Sequence, residues 1–407
     1  MSTERGSGLL GAALTLIHTG QAPTRSALTA ALGVTRATAG AVAAELRDLG
    51  LIEVDAAAGG GAHGRPSHRL LIDPDGPVAL AAHVHPDAFA VALVGLGGHV
   101  VARAGSPADM RGDPARALAT VAEAGAELLR RSGRTCAGAA FALPTAIAEP
   151  EGTAVSALYL GWPTGSKVRD ITAGLLADQG IDVPSRVVND VNALALAEHR
   201  HGAGKGADYL LVVSAEHRGV GGALVLRGAL YAGATGLSME AGHVSVDPNG
   251  LPCPCGNRGC LNVETDAERF MELAGRAPGP DGAVLDQAVA VLTGGYSSDP
   301  RVRAAAAALT ERLGLGLAGL INVVNPDRVL LGGLHRYLLE AAPDQLREAV
   351  ALRSPWGRGA GVPIQPCALD DAGLIGAAEL AWQPVLDDPA LLARLVEPGG
   401  RAMRANG

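Results

Sequence analysis

Glu240-Ala-Gly-His243, continued ten residues later by Cys253-Pro-Cys255-Gly-Asn-Arg-Gly-Cys260, is the stretch from which the rest of the chain is read. Three of the five cysteines fall inside eight residues. Pro252, Pro254, Gly256 and Gly259 deny the segment helix or strand regularity, so these thiols are not three separate core residues. Three thiolates and an imidazole on a tight loop form the ligand set of a tetrahedral zinc, with His243, Cys253, Cys255 and Cys260 leaving no position for water. Such a closed site is structural. The competing reading is a reactive or disulfide-forming cluster, which the odd cysteine count and the lack of a secretory signal disfavour. A metal on one ring nitrogen of His243 leaves the other as a donor of fixed direction. Glu240, three residues earlier, puts a carboxylate within reach of the same space, and that pairing suits a polyhydroxylated ligand. Taken alone, Glu240 reads as a solvated surface acid.

Length allows two or three domains in 407 residues. Apolar bulk comes from Ala, Val and Leu, since only 3% of residues are aromatic. A net charge of −8 excludes a general polyanion binder, so any nucleic-acid contact must be local. No uninterrupted apolar run reaches the length of a membrane span. Glu4 precedes Arg5 with no cleavage-type signal, and a cytoplasmic protein is expected.

Upstream, residues 1–73 read as a separate unit. Leu9, Leu10, Ala13, Leu14 and Ile17 recur at helical spacing, Thr24 caps a second helix, and Thr35 caps a third that ends at Gly50. Gly33-Val34 between them is the short turn of a helix-turn-helix. Leu51–Val54 and His68–Ile72 then form a hairpin wing. The third helix would enter the major groove with Thr35, Arg36 and Thr38 at its start, Arg36 reading a guanine edge or clamping phosphate. Arg65, extended by Pro66, would reach the minor groove from the wing tip, and Arg25 and Arg69 lie on the same surface. Six arginines balance six acids here, which keeps open a winged helix used for protein contact.

Beyond Pro74-Asp-Gly-Pro77 the pattern is α/β. Strands are expected at 78–84, 89–94, from His99, and 135–143, with a helix over 114–132. A second α/β series begins near Val183, with a strand at 185–188, the Asn189-Asp190-Val191-Asn192 turn, a helix at 193–200 and strands at 209–214 and 222–226. A long Ala/Leu helix over 302–324 precedes a strand ending at Gly332-Gly333. Two similar halves suggest a cleft between lobes.

These features together resemble the ROK family of repressors, uncharacterised reading frames and sugar kinases. The resemblance rests on Glu240-Ala-Gly-His243, the Cys253–Cys260 loop and Asn189-Asp190-Val191-Asn192, and extends over residues 8–382. It implies a multidomain α/β protein: a winged helix-turn-helix at 1–73, then a two-lobed actin-like sugar-kinase fold. The lobes would span 74–185 and 186–382, with the zinc loop in the second and a C-terminal helix returning to the first, leaving 383–407 as a tail. It further implies structural zinc on His243, Cys253, Cys255 and Cys260, and a sugar held by Asn189, Asp190, Glu240 and His243.

Departures from the family pattern are informative. The kinases open their first hairpin with Asp-x-Gly-Gly-Thr, whose amides approach phosphate, whereas here the place reads His83-Val-His85-Pro86-Asp87. The second phosphate loop, Gly-Thr-Gly in the kinases, reads His217-Arg218-Gly219, while Gly332-Gly333 matches the adenosine-side turn. Asp190 corresponds to the kinase general base, but a base without a phosphate cradle has nothing to serve. Asn262 replaces the glutamate that usually follows the last zinc cysteine, with Glu264 two further on. Tyr159-Leu-Gly-Trp162 replaces an Asn-Leu-x-x-Trp-like segment, and Trp162 would stack on a sugar or plug the lobe. The expectation is a non-catalytic, sugar-responsive DNA-binding repressor, with Asn262 counted in the sugar site and a homodimer on a double-stranded operator. The alternatives are an ATP-dependent sugar kinase with a DNA-binding domain, and a regulator that responds to no ligand.

Overall fold

The computed structural model describes residues 2–55, 68–216, 219–279, 283–355 and 361–396. In chain order, its first elements are α1 (Ser2–His18), α2 (Arg25–Leu32), α3 (Arg36–Asp48), β1 (Ile52–Asp55) and β2 (Arg69–Ile72). Next come β3 (Val78–His85), β4 (Ala88–Val94), β5 (Val100–Pro107), α4 (Pro114–Ser132) and β6 (Cys136–Leu143). A small hairpin, β7 (Ala146–Ala148) and β8 (Thr153–Ser156), precedes α5 (Val168–Asp178), β9 (Ser185–Asn189) and α6 (Asp190–His201). Then follow β10 (Tyr209–Ala215), β11 (Val220–Leu226), β12 (Ala229–Leu230), α7 (Leu261–Glu264), α8 (Ala267–Leu273), α9 (Val284–Gly295) and α10 (Pro300–Val324). The last are β13 (Arg328–Gly332), α11 (Gly333–Ala341), α12 (Pro343–Ala351), β14 (Ile364–Pro366), α13 (Ala372–Asp387) and α14 (Leu391–Val396).

Two compact units result. The first comprises Met1–Leu143, Ser166–Val188 and Gly373–Gly407. In its N-terminal part the side-chain oxygens of Thr24 and Thr35 accept the amides of Ala27 and Thr38, which starts α2 and α3 where the sequence places them. Gly33, with φ 64°, ends α2 in the left-handed conformation that only a residue without Cβ adopts cheaply. The chain thereby turns by 114° between α2 and α3. Leu14, Leu28, Leu46 and Ile52 close a small core under the β1–β2 pair. One link from α1 is polar. His18, 2% exposed, accepts the Gly97 amide at Nδ1 (2.8 Å), so Nε2 carries the proton donated to Glu379 (2.8 Å) on α13.

A five-stranded sheet, ordered β5-β4-β3-β6-β9, forms the centre of the first unit. β6 is buried along its whole length, because helices cover both faces of a parallel pair. α13 belongs here: Trp382 is fully buried and donates to the Val94 carbonyl (3.0 Å). A Cβ on Gly138 would stand 2.4 Å from the Ala381 carbonyl, so glycine is what lets α13 approach β6. Two expectations change. The strand at 185–188 is the outer strand of this first sheet rather than the start of a second series. The presumed tail is structured at its beginning, since α13 runs on through Asp387 and α14 follows.

Pro144–Gly165 and Asn189–Ala372 make the second unit. Its sheet, β12-β11-β10-β13-β14, is parallel across β10, β13 and β14 and antiparallel across β10, β11 and β12. α10 is long and apolar enough to cross a membrane by length and composition. Here it is a core helix: Leu309, Leu313, Leu317 and Ile321 are fully buried, and Thr310-Glu-Arg312 interrupts its apolar run. Gly314 lets α12 pack closely, since a Cβ there would meet Ala349 at 2.5 Å.

Candidate functional site

The cysteine loop is fastened first by its own backbone. Cys253 N–H donates to Asn257 (2.8 Å) and Gly256 N–H returns to Cys253 (2.9 Å). A Cβ on Gly259 would lie 1.6 Å from the Asp247 carbonyl, and its φ of 59° is left-handed, so only glycine closes this turn. Buried Glu264 accepts the Leu251 amide (2.8 Å) and pins the loop from below. That is a structural task.

His243, Cys253, Cys255 and Cys260 offer ligand atoms that all lie within 4.8 Å of one another. Cys253 Sγ stands 3.8 Å from His243 Nδ1, and Cys255 Sγ 3.8 Å from Cys260 Sγ. A tetrahedron with Zn–S arms of about 2.3 Å has S···S edges of about 3.8 Å, so the donor set fits zinc in size as well as in chemistry. Burial pushes the Cys260 thiol up to about 12, and a metal would replace its proton. With Nδ1 turned to the cysteines, His243 Nε2 faces Glu240, whose Oε2 is 4.0 Å away. Gly242 makes this possible, because a Cβ there would be 1.8 Å from the Val220 carbonyl.

Beside the cluster lies a cavity of about 260 Å³, entirely within the second unit. Asn189, Asp190, Glu240, His243 and Asn262, all expected from sequence, line it together with Tyr159, Glu216 and Cys255. Their roles differ. Asn189 caps α6: its Oδ1 accepts the amides of Val191 (3.0 Å) and Asn192 (3.2 Å), and its Nδ2 donates to the Thr145 carbonyl (3.2 Å). The Asn189–Asn192 run is thus the first turn of a helix, which holds Asp190 at the cavity wall. Asn262, 3% exposed, accepts the Val220 amide (2.8 Å) and donates to Tyr159 Oη (2.6 Å). Tyr159 accepts that bond and has its own O–H to offer the cavity. Trp162 is buried and is not among the lining residues, so it fills the fold rather than stacking on a ligand.

Three carboxylates meet this space. Asp190 is 8% exposed, and burial first, then the nearby Glu216 and more weakly Glu240, push its carboxyl up to about 7. Burial also raises Glu240. Glu216 follows β10 and takes the Ser214 hydroxyl as donor. Sequence reasoning passed over Glu216, although its position just before His217-Arg218-Gly219 was a usable signal. Gly332 and Gly333 pack against the same place: Cβ atoms on them would meet Ser214 Oγ at 2.3 Å and the Ala215 carbonyl at 1.8 Å. Close approach to β10 therefore accounts for this glycine pair.

In the first unit, β3 continues through His85, and Pro86-Asp87 makes the turn into β4. The Pro86 and Asp87 carbonyls accept the amides of Met110 (3.1 Å) and Ala108 (3.0 Å). His217 and Arg218 lie outside the described residues, as does Arg65. Of the other residues expected at DNA, Thr35 and Arg36 are exposed and Thr38 is half-buried. Arg25 is folded back, with Nη2 3.5 Å from the Arg36 carbonyl and beside Gly40. It braces α2 against α3.

The signature of the ROK family matches residues 85–383, and the chain belongs to that family. It is 32% identical over 209 residues to a glucokinase of Thermotoga maritima (47% of this chain, 64% of the relative). It is 24% identical over 265 residues to the xylose repressor of Caldicellulosiruptor bescii (62% of this chain, 64% of the relative). The chain thus spans just under two-thirds of each of these curated relatives. A solved ROK family transcriptional regulator, homologous to the Escherichia coli MLC protein, superposes with a TM-score of 0.74 at 21% identity, over 96% of this chain and 98% of that one. The fold is the mixed α/β, actin-like one of ROK proteins.

Proposed function

We propose that the chain is a sugar-responsive transcriptional repressor, with a DNA-binding head at 1–73 and a kinase-like sensor that does not transfer phosphate. Glu216 is the observation that carries the second half of this reading. A phosphoryl-transfer site needs amides and cations around the moving phosphate. Here an anchored carboxylate occupies the end of β10, beside Asp190, and the first hairpin turns through proline and aspartate. Asp190 and Glu240 then serve as acceptors for sugar hydroxyls, Tyr159 and His243 as donors, and zinc on His243, Cys253, Cys255 and Cys260 fixes the imidazole.

Support for the head comes from the 114° turn between α2 and α3, within the roughly 90–120° of a helix-turn-helix. Thr35 caps α3 so that Arg36 is presented at its start. The protein acts in the cytoplasm as a homodimer on a two-fold operator, its half-sites roughly 34–36 Å or a multiple apart. Sugar binding shifts the balance between two arrangements of the paired heads. Footprinting of the purified protein on the promoter of its own gene tests this: protection that a sugar relieves is expected.

Asp190 itself favours a second reading, because a carboxyl near neutrality is suited to general-base work. In that reading the chain is an ATP-dependent sugar kinase carrying a DNA-binding domain. A coupled assay of ATP consumption over a sugar panel decides between them. Turnover that Asp190→Ala abolishes would overturn the sensor reading.

A further inference from the structure

We infer that the head is fastened to the first unit rather than tethered to it. Gly11, His18 and Glu379 are then positioning residues that hold α3 in one pose and fix the half-site spacing the paired protein accepts. The inference rests on the DNA-binding, homodimer reading above and deepens it. α1 serves two neighbours at once. Leu10, Ala13, Leu14 and Ile17 are buried, and Leu14 shares the core of the head with Leu46 of α3. Gly11 and His18, at i and i+7 on another helix face, meet α13 instead. A Cβ on Gly11 would stand 2.5 Å from the Leu386 carbonyl and 2.7 Å from that of Asp387, so glycine is what lets α1 lie against the end of α13. His18 Nε2 reaches both oxygens of Glu379 (3.0 and 2.8 Å), about two turns earlier on α13, so the two helices run antiparallel.

Two further ties lie away from α13. Gly97 N–H, in the turn between β4 and β5, donates to His18 Nδ1 (2.8 Å). The segment after β2 is held as well: Arg134 donates to Asp75 (3.2 Å), and a Cβ on Gly76 would stand 2.9 Å from the Gly50 carbonyl just past α3. Pro74–Pro77 therefore braces the head, where a flexible linker would let it wander. Swinging α1 away would break the His18 bonds in a buried setting, where a lost partner is costly. The consequence falls on DNA. Each inserted base pair moves a half-site by about 3.4 Å and rotates it by about 34–36°. Heads on flexible linkers follow such a change, whereas fastened heads lose one of their two half-sites.

Gel-shift titration of the full-length protein tests the inference, on the site footprinted in its own promoter and on versions with one base pair inserted between the half-sites. Wild-type affinity should fall roughly 100-fold on insertion. In Glu379→Ala the loss should shrink to roughly tenfold or less, and Glu379→Gln, which keeps an acceptor for His18 Nε2, should restore it. A contact that merely stabilises the fold would lower Tm in these variants and leave the spacing profile unmoved. Hydrogen exchange on the wild type needs no variant and stands in should Glu379→Ala not fold. There the Gly97 amide should exchange roughly 100-fold or more slowly than an unprotected one. An inserted pair that the wild type tolerates, a spacing profile unmoved by Glu379→Ala, or a freely exchanging Gly97 amide overturns the fastening and leaves DNA binding standing. If no paired half-site footprint forms on the promoter, the DNA-binding reading falls instead, and Gly97 exchange alone decides the fastening.

Discussion

Replacing Asp190 by asparagine should make the ligand-free protein more stable while costing it its sugar response. Asp190 is buried at the cavity wall, where burial and the Glu216 charge both oppose ionisation. A carboxyl whose folded pKa exceeds its unfolded value contributes fully below the unfolded pKa, and that contribution is lost as pH rises through the folded one. With about 7 in the fold against 3.8 for the free group, the ionisable residue costs on the order of 1–2 kcal/mol at pH 5 and on the order of 4 kcal/mol at pH 8. Asparagine carries no charge, and its Oδ1 can still accept the Val191 amide that Asp190 takes at 2.8 Å. Differential scanning calorimetry without sugar should therefore show Tm rising by roughly 3 °C at pH 5 and roughly 8 °C at pH 8 for a unit of this size. Titration of the same variant with the effector should show binding weakened at least tenfold, because an acceptor of sugar hydroxyls has become half donor. A variant that loses stability at pH 8, or gains no more there than at pH 5, would refute the reasoning. It would mean that a donor or cation already compensates the carboxylate in the empty cavity.

Three further outcomes are expected. Cys255→Ser should lower bound zinc, read by elemental analysis, and abolish sugar-induced thermal stabilisation while operator binding in a gel-shift assay persists; full sugar-dependent release would show that the metal does not set the geometry of His243. His18→Ala removes one of the partners of the buried Glu379 carboxylate on α13 and should cost about 3 kcal/mol, whereas His18→Leu with Glu379→Met together should cost less, as a double-mutant cycle in urea would read. Arg36→Ala, at an exposed position, should leave Tm unchanged and weaken operator binding about ten- to a hundredfold.

Much of the molecule was legible because local physics and tertiary packing agree. Thr24, Thr35 and Gly33 bound their helices by capping chemistry alone. The cysteine spacing brings four donors within 4.8 Å, as ligand chemistry implied. What escaped had no local signature. β9 takes its place in the sheet beside β6, a strand that α5 and the small hairpin separate from it in sequence, so its own residues could not say which half it joined. α7 has four residues, α8 seven, and α11 and α12 nine each, too few turns for a helical period to stand out from the loops around them. Asn189 lines the cavity and also caps α6, its amide engaged by Val191, Asn192 and Thr145, a second task that a ligand motif does not announce. Glu216 had no local signature of its own, since a single acid after a strand reads as a solvated end until the fold turns it toward the cavity.

Under the proposed sensor reading, the burial of Asp190 has a thermodynamic consequence for sensing. In the empty cavity an ionised Asp190 is unfavourable, and Glu216 makes it more so. A sugar hydroxyl donated to that carboxylate relieves part of the cost, so ligand affinity and relief of the unfavourable state are one quantity. The sign of the linkage follows: a ligand that donates to the carboxylate favours its ionised form, lowers its pKa and releases a proton on binding. Near pH 7 a group that titrates at about 7 is half protonated, so that release should be fractional and measurable as a buffer-dependent heat. A phosphotransferase would have the same carboxylate, but its proton would come from the sugar and leave with the reaction. On the proposed sensor reading, the proton leaves at binding and returns at release.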